Sequence, residues 1–246
     1  MERMDDIGFG GLKLLQNPEE FCYGVDAVIL ANFAVRLCKP QPQKIADIGT
    51  GTGVIPLLFS DMTDADDIVG IEVQKSSFEL AKRNISLNAL EKRLRMIHGD
   101  IADLELLKNE TETFDLVVSN PPYVKKNCGI INDLDAKMIA RHETTAVLDD
   151  FIGAAALLLK PGGSFCMVHR PERLVDICDL CRKHKLEPKN MRFVSPNKNK
   201  APNILLIHCV KHGNASLKIL DPLYIYDETG KYTGEINEIY GKSKID

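Results

Sequence analysis

The chain has 246 residues, of which 44% are hydrophobic and 27% are charged, and its formal net charge is −4. This composition is typical of a globular protein and excludes a wholly disordered chain. The negative charge excludes a uniformly basic coat for nucleic acid, but it leaves room for a local basic surface. Because no run approaches 18 uninterrupted apolar residues, no membrane-spanning helix and no membrane partner are expected.

The N-terminus and the cysteines indicate a cytoplasmic protein. Acidic residues stand where a secretory signal peptide needs a basic start and an apolar middle. The seven cysteines are odd in number and scattered, which is not the pattern of a disulfide framework. Cys178 and Cys181 have the spacing of half a zinc site, but no second pair accompanies them, so no metal is expected.

From Lys44 onward, short apolar runs alternate with segments of helical length. The runs predict strands over residues 44–48, 68–72, 94–98, 115–119, 164–169 and 203–210. The longer segments predict helices over residues 26–38, 76–90, 151–160 and 172–184, the third ending at Pro161-Gly162-Gly163. Such alternation is typical of a parallel, doubly wound α/β sheet.

We predict a single domain over residues 1–246. Its parts are an N-terminal segment with a helix over residues 1–39, an α/β core over residues 40–212 and a C-terminal extension over residues 213–246. Within the extension, residues 224–233 have the pattern of a β-hairpin.

The first predicted strand runs into a glycine-rich segment, Asp47-Ile48-Gly49-Thr50-Gly51-Thr52-Gly53, which we call the glycine turn. A turn of this kind between a strand and a helix lets a ligand approach the backbone closely. The dinucleotide fingerprint needs a third glycine where this chain has Val54, so NAD is not the expected ligand. The acidic Asp47 suits an amine-bearing ligand better than a pyrophosphate.

Two further acids follow the next two predicted strands. A carboxylate at Glu72 can accept both hydroxyls of a ribose, and one at Asp100 can accept from an adenine amino group, with Ile101 against the ring. The carboxyl ends of strands meet at the edge of an open sheet where ligands bind. Together with Asp47, these acids describe a nucleoside with an amine-bearing tail.

The fourth predicted strand ends in Asn120-Pro121-Pro122-Tyr123. The Asn120 side-chain oxygen and the Pro121 carbonyl provide acceptors for the two hydrogens of an exocyclic amine. The nitrogen lone pair can then turn toward a methyl donor, so alignment carries most of the rate. Tyr123 offers a flat surface for stacking. This turn predicts N-methylation of an amine or amide and leaves the acceptor open.

The glycine turn, Glu72 and Gly99-Asp100 resemble the S-adenosylmethionine site of the class I methyltransferases. The resemblance implies a Rossmann-like α/β fold with about seven strands, mostly parallel, and an antiparallel last strand. It implies that S-adenosylmethionine is the cofactor, held by Asp47, Gly49, Thr50, Gly51, Gly53, Glu72, Asp100, Ile101 and Asn120. The Asn-Pro-Pro-Tyr segment resembles the catalytic motif of enzymes that methylate adenine N6, guanine N2 or glutamine amides.

A wider resemblance covers nearly the whole chain. The segments around Tyr23–Ala27, Ala140–Glu143 and Leu223–Tyr240 are similar to those of bacterial tRNA1(Val) adenine-N6 methyltransferases. The similarity implies that the substrate is the adenosine just 3′ of the anticodon of a tRNA. It also implies that Gly24 and Asp26 lie near the methionine end of the cofactor, and His142 and Glu143 at a substrate loop.

Three alternatives remain at this point. Guanine N2 enzymes usually carry Phe at the position of Tyr123 and often a duplicated domain. Glutamine methyltransferases carry an N-terminal helical domain, for which the 46 residues before Asp47 leave no room. A non-catalytic S-adenosylmethionine-binding RNA-interaction protein is disfavoured by the intact catalytic motif.

A tRNA partner requires positive charge. Eight Lys or Arg residues and one acid lie between Arg182 and His212, and Lys125-Lys126 follows the Asn-Pro-Pro-Tyr motif. A local patch of this kind can hold phosphates on an otherwise acidic protein. The residues expected to contact the RNA backbone are Lys125, Lys126, Lys183, Lys185 and Lys189.

Overall fold

The computed structural model describes residues 2–18, 23–122 and 147–241. The strands are β1 Arg3–Asp6, β2 Lys13–Gln16, β3 Lys44–Ile48, β4 Asp67–Glu72, β5 Leu94–His98, β6 Phe114–Ser119, β7 Leu159–His169, β8 Leu186–Ser195, β9 Ile204–Lys211, β10 Lys218–Ile219 and β11 Leu223–Tyr224. The α-helices are α1 Val25–Leu37, α2 Val54–Met62, α3 Lys75–Leu87, α4 Leu148–Leu158, α5 Leu174–Lys183 and α6 Gly234–Ile239. Within the described ranges, no helix is long and apolar enough to cross a membrane.

Nine of the described strands form one sheet in the order β10-β8-β9-β7-β6-β3-β4-β5, with β11 also paired to β8. The five strands from β3 to β7 are parallel to their neighbours within that set, and β9 is antiparallel to both β7 and β8. This mostly parallel sheet, with β9 reversed, confirms the predicted Rossmann-like fold. The strand order changes direction between β3 and β6, and such a point leaves a crevice at the carboxyl edge.

The sheet is covered on both faces, which explains why its central strands read as continuous apolar runs. Helices α1, α2 and α3 pack on one face together with α6, and α4 and α5 pack on the other. Alternate residues of one strand serve the two layers. In β6, Leu116 and Val118 belong to the first core and Val117 to the second.

Two predictions about the second half of the core are corrected by the structure. The helix predicted to reach residue 160 ends at Leu158, because β7 already begins at Leu159, which pairs with Phe114. The Pro161-Gly162-Gly163 segment therefore lies inside a strand. In addition, β8 has no counterpart among the predicted strands. Its buried and partly exposed residues are mixed, and a register shift follows Pro188, so no apolar run marks it.

The two ends of the chain add short elements to this core. β1 and β2 form an antiparallel hairpin that the sequence pattern did not indicate. The predicted hairpin at residues 224–233 is reduced to one antiparallel bridge, between Tyr226 and Tyr232, and α6 follows it. Ile236 and Ile239 of α6 are buried in the same core as α1.

Asn84 on α3 joins the N-terminal hairpin to the glycine turn. Its side chain is fully buried, and its Oδ1 accepts a hydrogen bond from the Leu15 N–H at 2.7 Å. Its Nδ2 donates to the carbonyls of Leu15 at 3.1 Å and Thr52 at 2.9 Å. One buried amide thus satisfies backbone groups of two segments that no strand pairing connects.

We expect Asn84→Ala to destabilise the protein markedly. The substitution leaves backbone groups of Leu15 and Thr52 buried without their partner, which costs about 2–4 kcal/mol of the free energy of unfolding. Urea unfolding followed by circular dichroism measures this. Lys82→Ala, on the exposed side of the same helix, is the control and changes the free energy by less than about 0.5 kcal/mol. Equal midpoints for the Asn84 variant and the wild type would contradict this role.

Candidate active site

The candidate site lies at the carboxyl ends of β3 and β6, where the strand order reverses. Ile48 and Ser119 are paired across these strands, and the Ser119 hydroxyl donates to the Ile48 carbonyl at 2.9 Å. Each of these residues ends its strand. The residues that follow, Gly49 and Asn120, therefore begin side by side, and the structure brings the glycine turn next to the Asn-Pro-Pro segment.

The backbone of the glycine turn needs its glycines. Gly49, Gly51 and Gly53 have φ angles of 73°, 58° and 83°, in the left-handed region where other residues are strained. The N–H groups of Gly49 and Thr50 donate to the Ile71 carbonyl at 2.9 and 3.1 Å, which ties the turn to β4. Gly53 is the N-cap of α2, so the positive end of that helix faces the turn.

Asp47 and Thr50 are buried polar residues whose side-chain oxygens have no hydrogen-bond partner among the described residues. Burial raises the pKa of the Asp47 carboxyl to about 7, and the charge of Glu72 adds to the increase. The Thr50 hydroxyl lies close enough to the carboxylate to lower its pKa, although the two groups form no hydrogen bond of normal geometry. Buried polar atoms are rarely left unpaired, and a cationic amine would both pair with this carboxylate and favour its charged form.

Glu72 ends β4 and is held at the rim of the glycine turn. One carboxylate oxygen accepts from the Gly51 N–H and the other from the Gln74 N–H, both at 2.8 Å. An ionised carboxylate has about four acceptor positions. The two that remain suit a pair of neighbouring hydroxyls.

Asp100 and Ile101 stand after β5, on the next strand of the sheet. The Asp100 carboxylate accepts from the Ala102 N–H at 3.0 Å, and Ile101 is buried. The Gly99 N–H donates to the Glu72 carbonyl at 3.0 Å, which keeps the two strand ends together. The three acids predicted from the sequence therefore lie at the same ends of three adjacent strands.

Asn120 contacts Asp26 across the site, with 3.4 Å between Nδ2 and the Asp26 Oδ2. A carboxylate only accepts hydrogen bonds, so this contact assigns the amide nitrogen to the Asp26 side and turns the Asn120 oxygen the other way. Pro121 is buried and Pro122 is partly buried. Tyr123, the fourth member of the predicted motif, lies outside the described residues.

The segment before α1 is held by a residue that the sequence did not single out for a role. Gln16 is buried, and its side-chain oxygen accepts from the Tyr23 N–H at 3.0 Å. Gly24 leaves space for Asp26, because a Cβ there would lie 2.9 Å from the Asp26 carboxylate. Gln16 thus holds the backbone at Tyr23, just before α1, from which Asp26 reaches Asn120.

The structure does not bring the predicted phosphate-binding lysines to this edge of the sheet. The backbones of Lys183 and Lys185 precede β8, which runs in the same direction as β6, and so lie toward the opposite edge. Lys183 forms an ion pair with Asp149 at 2.7 Å, and Lys189 donates to the Asn214 carbonyl at 2.9 Å. The remaining candidates, Lys125, Lys126, His142 and Glu143, lie outside the described residues.

Metal ligands do not gather in the described part of the chain: no group of three His, Cys, Asp or Glu side chains is placed to hold an ion. Cys178 and Cys181 carry free thiols. Burial raises the pKa of the Cys178 thiol, which disfavours the thiolate that a metal requires.

S-adenosylmethionine fits the groups at this edge. Its amino group matches the unpaired Asp47 carboxylate, its ribose hydroxyls match the remaining acceptor positions of Glu72, and its adenine matches Asp100 and Ile101. The glycine turn leaves the backbone open beside them. On a Rossmann-like sheet, this arrangement defines a class I S-adenosylmethionine-dependent methyltransferase.

The chain belongs to the methyltransferase small domain family, whose model matches residues 14–177. It is 31% identical over 217 residues to the tRNA1(Val) (adenine(37)-N6)-methyltransferase of Porphyromonas gingivalis strain W83. That match covers 86% of this chain and 84% of the relative.

Solved structures share the fold. A predicted O-methyltransferase from Agrobacterium tumefaciens superposes with a TM-score of 0.71 at 19% identity, over 88% of this chain and 96% of its own. A geranyl diphosphate C-methyltransferase from Streptomyces coelicolor, solved with S-adenosyl-L-homocysteine, gives a TM-score of 0.55 at 10% identity over 74% and 76%. At these identities the likeness concerns the architecture.

Replacing Asp47 by Asn is expected to stabilise the ligand-free protein at alkaline pH. The pKa of the carboxyl is 3.8 in the unfolded state and about 7 in the folded state, so the folded state binds more protons between these two pH values. Its stability therefore falls as pH rises through that window, and the Asn variant escapes this loss. The advantage should grow from near zero at pH 4 to at most about 4 kcal/mol at pH 8. Parallel pH profiles of unfolding free energy for the two proteins would rule this out.

Glu72→Gln is expected to weaken binding of S-adenosylmethionine by roughly 10- to 100-fold, because an amide cannot accept from both ribose hydroxyls as a carboxylate does. Isothermal titration calorimetry with S-adenosylhomocysteine measures the change. Glu79→Gln, on the exposed face of α3, is the matched control and should bind like the wild type. A chain that binds NADH and no S-adenosylmethionine would overturn the interpretation of this edge.

Proposed function

We propose that the protein transfers a methyl group from S-adenosylmethionine to N6 of the adenosine on the 3′ side of the anticodon in a tRNA. One observation carries this proposal. An Asn-Pro-Pro turn stands beside the glycine turn, in a chain similar over 86% of its length to a tRNA1(Val) (adenine(37)-N6)-methyltransferase. The turn supports the amine chemistry, and the relative supports the choice of acceptor.

The residues of this turn can prepare an amine for methylation without a strong base. When bound, S-adenosylmethionine would supply a methyl group on a positively charged sulfur; the transfer breaks the sulfur–methyl bond, forms the nitrogen–methyl bond, and releases S-adenosylhomocysteine and one amine proton to solvent. The Asn120 oxygen and the Pro121 carbonyl accept the two N–H groups of the adenine amine, which turns the nitrogen lone pair out of the ring plane. Asp26 positions Asn120 for this task by accepting from its amide nitrogen. Orientation of this kind contributes up to about 7–11 kcal/mol in well-aligned reactions.

A tRNA loop suits a site at the open edge of a sheet. Adenine N6 is paired inside a duplex, whereas a base in a loop can be splayed out at low cost. Tyr123 remains our candidate for stacking on the flipped adenine, and Lys125 and Lys126 remain candidates for contacts to its phosphates. Guanine N2 and a glutamine amide carry the same NH2 group, so they are the acceptors against which adenine N6 must be tested.

We also infer that residues 1–246 form one methyltransferase domain that works in the cytoplasm on tRNA. The burial of α6 in the same core as α1 supports a single unit. The free thiols of the described cysteines support a reducing compartment.

The proposed function is tested by incubating the protein with bulk tRNA and labelled S-adenosylmethionine, followed by nucleoside analysis. We expect N6-methyladenosine to carry the label. Label in N2-methylguanosine, or transfer only to a protein glutamine, would identify a different acceptor. Binding of S-adenosylmethionine without any transfer to RNA or protein would favour a non-catalytic role.

Asn120→Ala is expected to lower kcat by at least about 100-fold while the Kd for S-adenosylmethionine stays within about threefold. The lost acceptor acts on the amine mainly in the transition state, so its removal affects turnover rather than cofactor binding. Asn214→Ala, at the opposite edge of the sheet, is the control. Full turnover by the Asn120 variant would remove the Asn-Pro-Pro turn from the mechanism.

A further inference from the structure

Three tyrosines form a stack that leads away from the candidate active site. The rings of Tyr240 and Tyr232 have centroids 5.7 Å apart and planes 14° apart. The rings of Tyr232 and Tyr226 have centroids 5.5 Å apart and planes 20° apart. We call these residues the tyrosine row.

The inner end of the tyrosine row is Tyr240, which packs against Phe9 with 6.0 Å between ring centroids and lies within electrostatic range of Asp26. Burial raises the pKa of the Tyr240 hydroxyl, and the neighbouring Tyr232, Tyr23 and Asp26 add to the increase. Asp26 is the carboxylate that contacts Asn120. The row therefore starts within electrostatic range of the group that orients the catalytic amide.

The outer end of the row is open to solvent. Tyr232 and Tyr240 pack against the core, whereas Tyr226 is 40% exposed and packs against neither core cluster. The Tyr226 backbone is nevertheless fixed, because its N–H donates to the Pro196 carbonyl at 2.8 Å and it forms the bridge with Tyr232. An exposed ring is thus held in place by its backbone and by the ring behind it.

The loop over residues 196–203 begins at Pro196, whose carbonyl accepts the hydrogen bond from Tyr226. Every charged side chain in this loop is positive. It contains the exposed Lys198 and Lys200 and no acid. Arg170 brings a third cation to its end, where its guanidinium donates to the Asn203 carbonyl at 3.1 Å. The loop follows the carboxyl end of β8, so it shares the edge of the sheet with Asn120.

Two acids lie in the turn that follows Tyr226. Asp227 accepts from the N–H and the hydroxyl of Thr229 and from the Lys231 N–H, so its carboxylate is engaged within the turn. Glu228 is exposed at the tip. The turn thus carries the negative charge of Asp227 and Glu228, whereas the 196–203 loop carries no acid and is the place for an anion.

We propose that Tyr226 stacks an unpaired base of the RNA substrate, and that Lys198 and Lys200 hold the phosphates beside that base. The proposal rests on the proposed function, because it takes a tRNA loop as the substrate. It concerns a base other than the one that is methylated. It also places the phosphate contacts of the basic segment at its loop, rather than at Lys183, Lys185 and Lys189.

The combination matches what single-stranded RNA needs. Loops are bound by aromatic rings that stack on bases and by cations that follow the backbone. A ring already fixed by Tyr232 loses little conformational entropy when a base stacks on it. When one adenosine leaves the loop to reach Asn120, a neighbouring base held at Tyr226 would keep the loop from moving away.

The test measures binding of a fluorescently labelled tRNA(Val) transcript to the full chain, with S-adenosylhomocysteine present. We expect Tyr226→Ala to raise the Kd by roughly 5- to 100-fold. Tyr226→Phe keeps the ring and should bind within about twofold of the wild type. Tyr226→Leu keeps an apolar contact with Tyr232 but has no ring. It should therefore bind the transcript as weakly as the Ala variant, while its thermal unfolding matches that of the wild type.

The lysines are tested by the dependence of the Kd on salt. Lys198→Ala with Lys200→Ala should lower the slope of log Kd against log salt by about 1.5 units, since each lost phosphate contact removes about 0.7–0.9. The matched control, Lys183→Ala with Lys185→Ala, removes two positive charges from the segment before β8 and should leave the slope nearly unchanged. An equal effect of both pairs would overturn the assignment of the phosphates to the 196–203 loop.

The outcomes separate this proposal from the proposed function. If the wild type methylates and binds the transcript but the Ala and Leu variants of Tyr226 bind it equally well, the stacking site is wrong and the function stands. If the wild type neither binds nor methylates tRNA, both fail. In every variant, the Kd for S-adenosylhomocysteine should stay within about twofold of the wild-type value. Loss of S-adenosylhomocysteine binding in the Tyr226 variants would show that Tyr226 acts on the cofactor site instead.

Discussion

The parallel pairing of β3 with β6 is the contact on which the whole candidate site depends. It sets Ile48 against Ser119, and so it places the first glycine of the turn beside Asn120. A slip of one residue would exchange the side chains that face the two helix layers, so burial on both faces fixes this register. The glycine turn and Asn120 thus owe their proximity to the apolar packing that fixes the register of this strand pair.

In the proposed site, Asp47 would bind the cationic amine of the cofactor at a cost to the stability of the ligand-free protein. A fully buried carboxylate with no hydrogen-bond partner in the described part of the chain is unfavourable, and burial accordingly raises its pKa to about 7. A ligand amine that pairs with it removes the penalty at the moment of binding. Cofactor binding and stability are therefore linked, and the bound protein should resist unfolding more than the free one.

The sequence predicted the fold best where local chemistry and burial agree. The runs ending at Ile48, Glu72 and Ser119 are apolar because the sheet is covered on both sides. The glycine turn directly follows the first run, Glu72 ends the second, and Asn120 directly follows the third. It missed β8, where polar residues such as Lys189 interrupt the run. It also could not foresee that Asn84 and Gln16 hold distant backbone segments, since a buried amide has no periodicity to reveal it.

The contact between Phe9 and Tyr240, whose ring centroids are 6.0 Å apart, joins the beginning of the chain to its end. A chain emerging from the ribosome can pair β3, β4 and β5 early, because these strands are close in sequence. The ring that completes the tyrosine row, Tyr240, follows every strand of the sheet in the sequence. A nascent chain can therefore form the strands of its sheet before Tyr240 joins Phe9 and completes the tyrosine row.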